Sequence, residues 1–358
     1  MTKIRSAAIL LAGLFLLAMP AAAVASDGIQ VILNEDAVEF PDRPVILEGR
    51  TFVPMRNLLE NLGAQVAWDD MAKQATGRFQ DRVLVMQIGS ATALINQVTH
   101  PVDAPARLIN LGTEKAPSYR TYFPLRFVSE GLGYEVDWDD RTKTVYIRDP
   151  RAPIPQTAEE LAILGRPYIP RDAMQRWFDR NIPQYSHLPG LYYEFGARYG
   201  VRADLAISQA LWETAFLKYG GEVEPWQNNF CGLYAVGRPL DPTRDFLNGA
   251  NPERVSIVEG VYGAVFATAA DGVEAHIQHL YAYATSDPLP EGSDLVSPRY
   301  NLLGSRIRGS SPVMAYLGAY NNPNGIGWAA PGVDYGHKIV DRVFVGKLLV
   351  DMRLIPSV

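Results

Sequence analysis

Two stretches of this chain repeat each other at an offset of 70 residues: 50–73 reads RTFVPMRNLLENLGAQVAWDDMAK and 120–143 reads RTYFPLRFVSEGLGYEVDWDDRTK. About half the positions are identical, among them Arg50 and Arg120, Pro54 and Pro124, Arg56 and Arg126, Gly63 and Gly133, and Trp68 and Trp138. An internal repeat confines this half of the chain to an architecture that uses one supersecondary unit twice. Each copy reads as strand, helix, strand. Pro54 and Pro124 suit the first turn of a helix, where a missing N–H costs nothing. Leu58, Leu59 and Leu62 recur at helical spacing, and Gly63 stands where such a helix would be capped. Val66 and Trp68 alternate as in a strand, and Asp69-Asp70 then marks a hairpin turn.

The sequence R-T-[FY]-[VF]-P-[ML]-R, followed by G and W-D, resembles the copper amine oxidase N-terminal-like domain, found as repeats in exported proteins of Gram-positive bacteria. The resemblance covers about residues 29–148. It implies a small α+β domain of adhesive or spacing character. The copper in the family label is not expected here, because copper sites need clustered histidines and this region holds only His100. The paired acids after Trp68 and Trp138 read as turn residues rather than as a cation site.

The N-terminus carries Lys3 and Arg5, an apolar run from Ala7 to Met19, and then Ala23-Val24-Ala25. That order describes a secretory signal peptide over residues 1–25. The apolar run falls short of the roughly 20 residues that a membrane-spanning helix needs. The expected product is a secreted, soluble chain starting near Ser26, with no later membrane span. The formal charge is −6, and loss of Lys3 and Arg5 takes it to about −8. Such a balance argues against nucleic acid and against a polybasic grip on anionic wall polymers. Cys231 is the only cysteine, so stability must come from packing, and a small buried residue is its expected role.

Residues 149–171 (DPRAPIPQTAEELAILGRPYIPR) are proline-rich and read as a linker between a domain at 26–148 and another at 172–350. Beyond them the periodicity turns helical, at 191–200, 203–217, 272–284, 311–319 and 334–348. The Gly-, Asn- and Pro-rich stretch 218–262 has the composition of a functional loop. The fold class expected is multidomain: an α+β repeat domain, then a mostly α domain.

In the helix ADLAISQALWETAFL (203–217), Ala206, Gln209, Ala210 and Glu213 fall on one stripe between apolar flanks. Small alanines would leave room beside Glu213 for a ligand. A carboxyl in an apolar wall loses hydration of its charged form, and its pKa rises. A raised carboxyl is what a general acid for glycoside cleavage requires. In the following loop, Gln227, Asn228 and Asn229 carry amides suited either to sugar hydroxyls or to bracing the loop's own backbone. Trp226, Phe230 and Tyr234 offer flat faces for pyranose rings.

The order R-A-D-x-A-x-x-Q-A-x-x-E-T, then Y-G-G-x-V-x-P-x-Q-N-N-F-x-G-L, then 266–284 and 330–343, resembles the glucosaminidase domain of bacterial autolysins. The resemblance implies a lysozyme-like helical fold and hydrolysis of β-1,4 bonds beside N-acetylglucosamine in peptidoglycan. It implies Glu213 as the catalytic acid. Gln209, Gln227, Asn228, Asn229, Phe230 and Tyr335 are then expected around the substrate. Relatives often carry a second carboxylate on a later hairpin, and Glu253 and Glu259 are the candidates here, since they flank the β-rich VSIVEGVYGAVF. Without one, the substrate's own acetamido group would attack. His276 and His279 lie one helical turn apart but lack the H-E-x-x-H pattern, so neither metal nor other cofactor is expected.

The function expected is that of a secreted, wall-associated N-acetylglucosaminidase, working as a monomer on peptidoglycan glycan strands. The alternatives are a muramidase or lytic transglycosylase, or a non-catalytic wall-binding protein.

Overall fold

A computed structural model describes residues 28–34, 36–113, 115–140 and 143–355 of the chain. The expected signal peptide lies outside them. The chain divides into two compact units at Ala152 and Pro153.

The first unit runs β1 (Gln30–Leu33), β2 (Asp36–Ala37), β3 (Val45–Leu47), β4 (Arg50–Pro54), α1 (Met55–Asn61), β5 (Gln65–Asp69) and β6 (Gln74–Phe79). It continues through β7 (Arg82–Gln87), β8 (Thr92–Ile95), β9 (Val98–Pro101), β10 (Arg107–Asn110), β11 (Tyr119–Pro124), α2 (Leu125–Gly131), β12 (Glu135–Asp139) and β13 (Thr144–Arg148). The sheet orders are β12-β13-β1-β2, β10-β11-β4-β3 and β5-β6-β7-β8-β9. Each repeat is strand, helix and hairpin, as expected. Pro54 and Pro124 end their strands one position ahead of the helices rather than inside the first turn. Gly63 and Gly133 take φ of +73° and +92°, the left-handed cap that closes each helix.

The repeats meet through equivalent strands. β4 pairs antiparallel with β11, and Val53 lies opposite Phe123, its own counterpart 70 residues on. Antiparallel pairing through equivalent residues relates the copies by a local two-fold axis. Leu58, Leu59 and Leu62 of one copy and Val128 and Leu132 of the other then share one core. The acids after Trp68 are consumed by the turn: Asp69 accepts from the backbone of Met71 and Ala72, and Asp70 pairs with Lys73 at 2.8 Å.

The second unit contains α3 (Arg171–Asn181), α4 (Leu188–Tyr199), α5 (Ala203–Glu213), a short hairpin of β14 (Val255–Ser256) and β15 (Val265–Phe266), α6 (Ala269–Ala284) and α7 (Tyr335–Ile339), which runs on as a π-helical segment Val340–Leu349. Every residue of α6 from Asp271 to Ala284 is buried, which makes it the central helix of this unit. No helix among the described residues is long and apolar enough to cross a membrane.

Two expectations are corrected here. The segment 149–171 is not free linker throughout: Ala158, Leu161, Ile163 and Ile169 are buried in the core of the second unit. Asp204 anchors it by accepting from the backbone N–H groups of Tyr168 at 2.6 Å and Ile169 at 2.9 Å. The helix expected at 311–319 is only a 3₁₀ turn, Met314–Leu317. Its backbone is drawn out to pair with that same segment, Met314 N–H donating to Leu161 and Ala315 N–H to Ala158. Backbone groups satisfied by a neighbouring segment are lost to a helix.

Candidate active site

α5 carries Glu213 at its last position, and how the helix stops decides where that carboxyl goes. The Thr214 hydroxyl donates to Ala210 O at 2.6 Å and accepts from Leu217 N–H at 3.0 Å. Ala215, Phe216 and Leu217 then adopt φ of 50°, 59° and 59°. Consecutive left-handed residues with side chains are rare and cost roughly 1–2 kcal/mol each. They fold the chain back over the helix end, so the expected continuation to residue 217 does not form. Beyond the last turn opens a cavity of about 410 Å³, lined by Trp212, Glu213, Tyr219, Glu222 and Asn229 among others. That volume suits a small-molecule or sugar site.

The Glu213 residue is open to solvent on its cavity side. Protein packed around the rest of the carboxyl strips away enough hydration to raise its pKa, and a hydrogen bond donated by Tyr335 offsets part of that rise. Tyr335, the first residue of α7, donates its hydroxyl to Glu213 Oε1 and accepts from Gln209 Nε2 at 2.9 Å. Burial holds the Tyr335 phenol well above its ordinary pKa, so it stays a neutral donor. Its helix start is fixed by Asn321, which donates to the Asp334 carboxylate at 3.0 Å and accepts from Asp334 N–H at 2.8 Å.

Sequence reasoning placed Gln209 and Tyr335 near Glu213, and the structure brings the three together. The alanine stripe does not leave room, however: Ala206 and Ala210 are buried in the core, and the space lies past the helix end instead. The amides of the loop brace it. Gln227 donates to Tyr262 O at 2.8 Å and accepts from Glu224 N–H at 2.7 Å. Asn229, fully buried, donates to Leu233 O and Ala264 O and accepts from Leu233 N–H. Asn228 donates to Phe266 O at 3.1 Å, and Phe230 is core. Of the three aromatics Trp226, Phe230 and Tyr234, Trp226 is the one left 58% exposed.

Neither Glu253 nor Glu259 lines the cavity, and both are exposed. The carboxylate that joins Glu213 there is Glu222, which sequence reasoning missed. Its only signal was membership of the loop, and its position depends on the left-handed turn. Two other acids of the 235–265 stretch are occupied: Asp245 forms a paired bridge to Arg238 at 2.7 Å that pulls it down to about 2, and Asp241 caps Thr243. Cys231 is buried among Leu233, Val255 and Phe266, as expected of a packing residue. His276 is buried in polar and aromatic contacts and His279 against the rings of Tyr283 and Trp328, and burial pushes both imidazoles down to about 3.

The braced loop is pressed against α6 where Gly272 passes the carbonyl of Asn228. A Cβ on Gly272 would lie 1.7 Å from that oxygen. Gly272→Ala is therefore expected to push the loop off the helix. The expected loss is about 1–3 kcal/mol of stability, as for other overpacked sites, read as a lower chemical-denaturation midpoint. A midpoint unchanged from wild type would show the contact to be soft.

Comparison with known proteins supplies two domain matches, in chain order. Residues 32–147 match the copper amine oxidase N-terminal domain, and residues 190–341 match the mannosyl-glycoprotein endo-beta-N-acetylglucosaminidase family. An uncharacterized protein of Borreliella burgdorferi is 33% identical over 115 residues, which is 32% of this chain and 44% of that protein. The chain thus spans less than half the length of that curated relative.

Proposed function

We propose that the second unit is a glycoside hydrolase acting on the glycan strands of peptidoglycan, with Glu213 as the general acid that protonates the leaving oxygen. The observation that carries the reading is Glu213 itself: a carboxyl raised by desolvation, held by Tyr335 at the edge of a cavity, inside a segment that matches the glucosaminidase family. A carboxyl whose protonated form is favoured by desolvation, beside a substrate-sized space, is the equipment for acid-catalysed glycoside cleavage.

The bond cleaved, in our reading, is the β-1,4 bond on the reducing side of N-acetylglucosamine. Trp212 and Tyr219, which line the cavity, offer the faces against which a sugar ring would stack. Glu222, which lines the same cavity, is the favoured second carboxylate, whose role would be to activate water or stabilise the developing oxocarbenium ion; otherwise the acetamido group of the substrate attacks. The leader at residues 1–25 fits export, and we propose that the protein works at the cell wall, with the repeat unit as adhesion or spacer module.

Every residue in this proposal beyond the leader and repeats belongs to the second unit. A chain of residues 153–358 is therefore expected to release reducing ends from soluble glycan fragments at a rate close to that of the full chain. Folding of the fragment is checked by circular dichroism. A folded fragment without turnover, beside an active full chain, would mean that the first unit builds part of the site. Absence of turnover in both would remove the hydrolase reading.

A further inference from the structure

Behind Glu213 runs a line of buried polar side chains of which the reaction as described uses only Tyr335. Tyr335 donates to Glu213 Oε1, and its oxygen accepts from Gln209 Nε2 at 2.9 Å. Gln209 Oε1 lies 3.0 Å from His276 Nε2, and His276 Nδ1 lies 2.9 Å from the Tyr192 hydroxyl. Gln209 and His276 are completely buried, and Tyr192 is 1% exposed. The line crosses from α4 through α6 and α5 to α7, so four helices meet in it.

The chemistry of these groups orders the protons. Ionised Glu213 only accepts, so the Tyr335 hydroxyl points at it and the phenol oxygen must accept from the Gln209 amide nitrogen. That leaves Gln209 Oε1 as an acceptor facing His276, which must carry its proton on Nε2. A neutral imidazole has one donor and one acceptor, so Nδ1 is bare and accepts from Tyr192. All four hydrogen bonds then point the same way, toward Glu213.

We infer that His276 is a positioning residue for Glu213: its Nε2–H pins the Gln209 amide, and the pinned amide leaves Tyr335 no direction to donate except toward Glu213. An unpinned Gln209 would be free to rotate and present Oε1 to Tyr335. The phenol would then turn its proton away, and Glu213 would lose its donor. With Tyr335 bound to Oε1, the proton that Glu213 delivers resides on Oε2. The inference rests on Glu213 being the acid proposed above.

The groups facing Glu213 are Tyr335 from α7, Tyr219 and Glu222 from the loop after α5, and Cys231 beyond the paired asparagines. Burial keeps Tyr335, Tyr219 and Cys231 in their neutral forms. Facing His276 are Tyr192, Gln209, the Trp328 ring and His279, itself neutral.

Two side-chain amides separate positioning from packing. Gln at 276 keeps an N–H donor near the place of Nε2, whereas Asn reaches only the place of Nδ1. The full chain, labelled with carbon-13 at its glutamate carboxyls, is titrated by NMR, with Glu213→Gln assigning the resonance. His276→Asn is expected to raise the pH at which Glu213 titrates and to lower kcat about tenfold, the scale of one lost hydrogen bond, with little change in KM. His276→Gln is expected to keep both near wild type. In the unmutated protein, nitrogen-15 shifts of the ring are expected to report the Nε2–H form, a test that needs no variant to fold. An Nδ1–H ring, or equal titrations for wild type and a folded His276→Asn, would overturn the inference. The titration and the ring shifts are read without turnover, so their failure is distinct from failure of the hydrolase reading.

Discussion

Replacing Glu213 by glutamine is expected to abolish wall lysis while leaving the fold intact. The amide keeps the shape of the carboxyl and an oxygen that accepts the Tyr335 hydroxyl, so the contact that seats α7 against α5 survives. What disappears is the proton for the leaving oxygen. Removal of a general acid costs about 10²–10⁴ in rate. The check is release of reducing ends from purified peptidoglycan, with circular dichroism and melting temperature compared to wild type. A folded Glu213→Gln protein with near-wild-type turnover would dismiss Glu213 from the reaction.

Tyr335→Phe is the second large effect, and its sign follows from the hydrogen bond it deletes. Desolvation raises the Glu213 pKa and the Tyr335 hydroxyl pulls it partway back. Without that hydroxyl the pKa climbs further. A general acid works while protonated, and activity falls as pH rises through its pKa. The wild-type basic limb is thus expected above the ordinary carboxylate range, and in Tyr335→Phe it is expected at still higher pH. Below the limb, kcat is expected to drop on the order of 10²-fold, the cost of one preorganised donor at a reacting group. A pH–rate profile of kcat/KM checks both. A basic limb that stays in place or moves to lower pH would contradict the assigned roles. The same rise in pKa makes the Glu213 contribution to folding stability greatest at low pH and lost as pH climbs through the folded value.

Much of the fold was legible because periodicity and repetition are local. The 70-residue offset announced the doubled unit, and the pairing of Val53 with Phe123 is what two copies of one amphipathic segment produce when each needs a partner. α4, α5 and α6 were readable from apolar spacing. Failures came where distant backbone intervened. The 311–319 helix gave way because Leu161 and Ala158 claim its amide groups, and no property of 311–319 alone reveals that.

At the site, the helix residues Gln209 and Glu213 and the loop residue Asn229 were found, whereas Glu222, set by a turn, was not. Gln209 and Glu213 follow from one helical stripe, and Tyr335 follows from the family resemblance. The amides of Gln227 and Asn229 have the chemistry of sugar ligands, yet the loop around them has only the short 3₁₀ turn Pro225–Gln227 to satisfy its backbone and spends them internally. Glu222 reaches the cavity only through the left-handed run at 215–217, a conformation that Ala, Phe and Leu do not advertise. The Tyr192–His276–Gln209 line joins residues 84 and 67 positions apart in sequence and becomes visible only once the helices are packed.

The measurement closest to the central claim is the identity of the new ends. Peptidoglycan digested with the full chain is reduced with borohydride, hydrolysed, and its sugar alcohols are separated and identified by mass. The account predicts N-acetylglucosaminitol, with Glu213→Gln giving no increase over undigested wall. N-acetylmuramitol as the new end, or 1,6-anhydromuramic ends that resist reduction, would contradict the proposed bond. No new end of any kind from active-looking, folded protein would contradict the hydrolase itself.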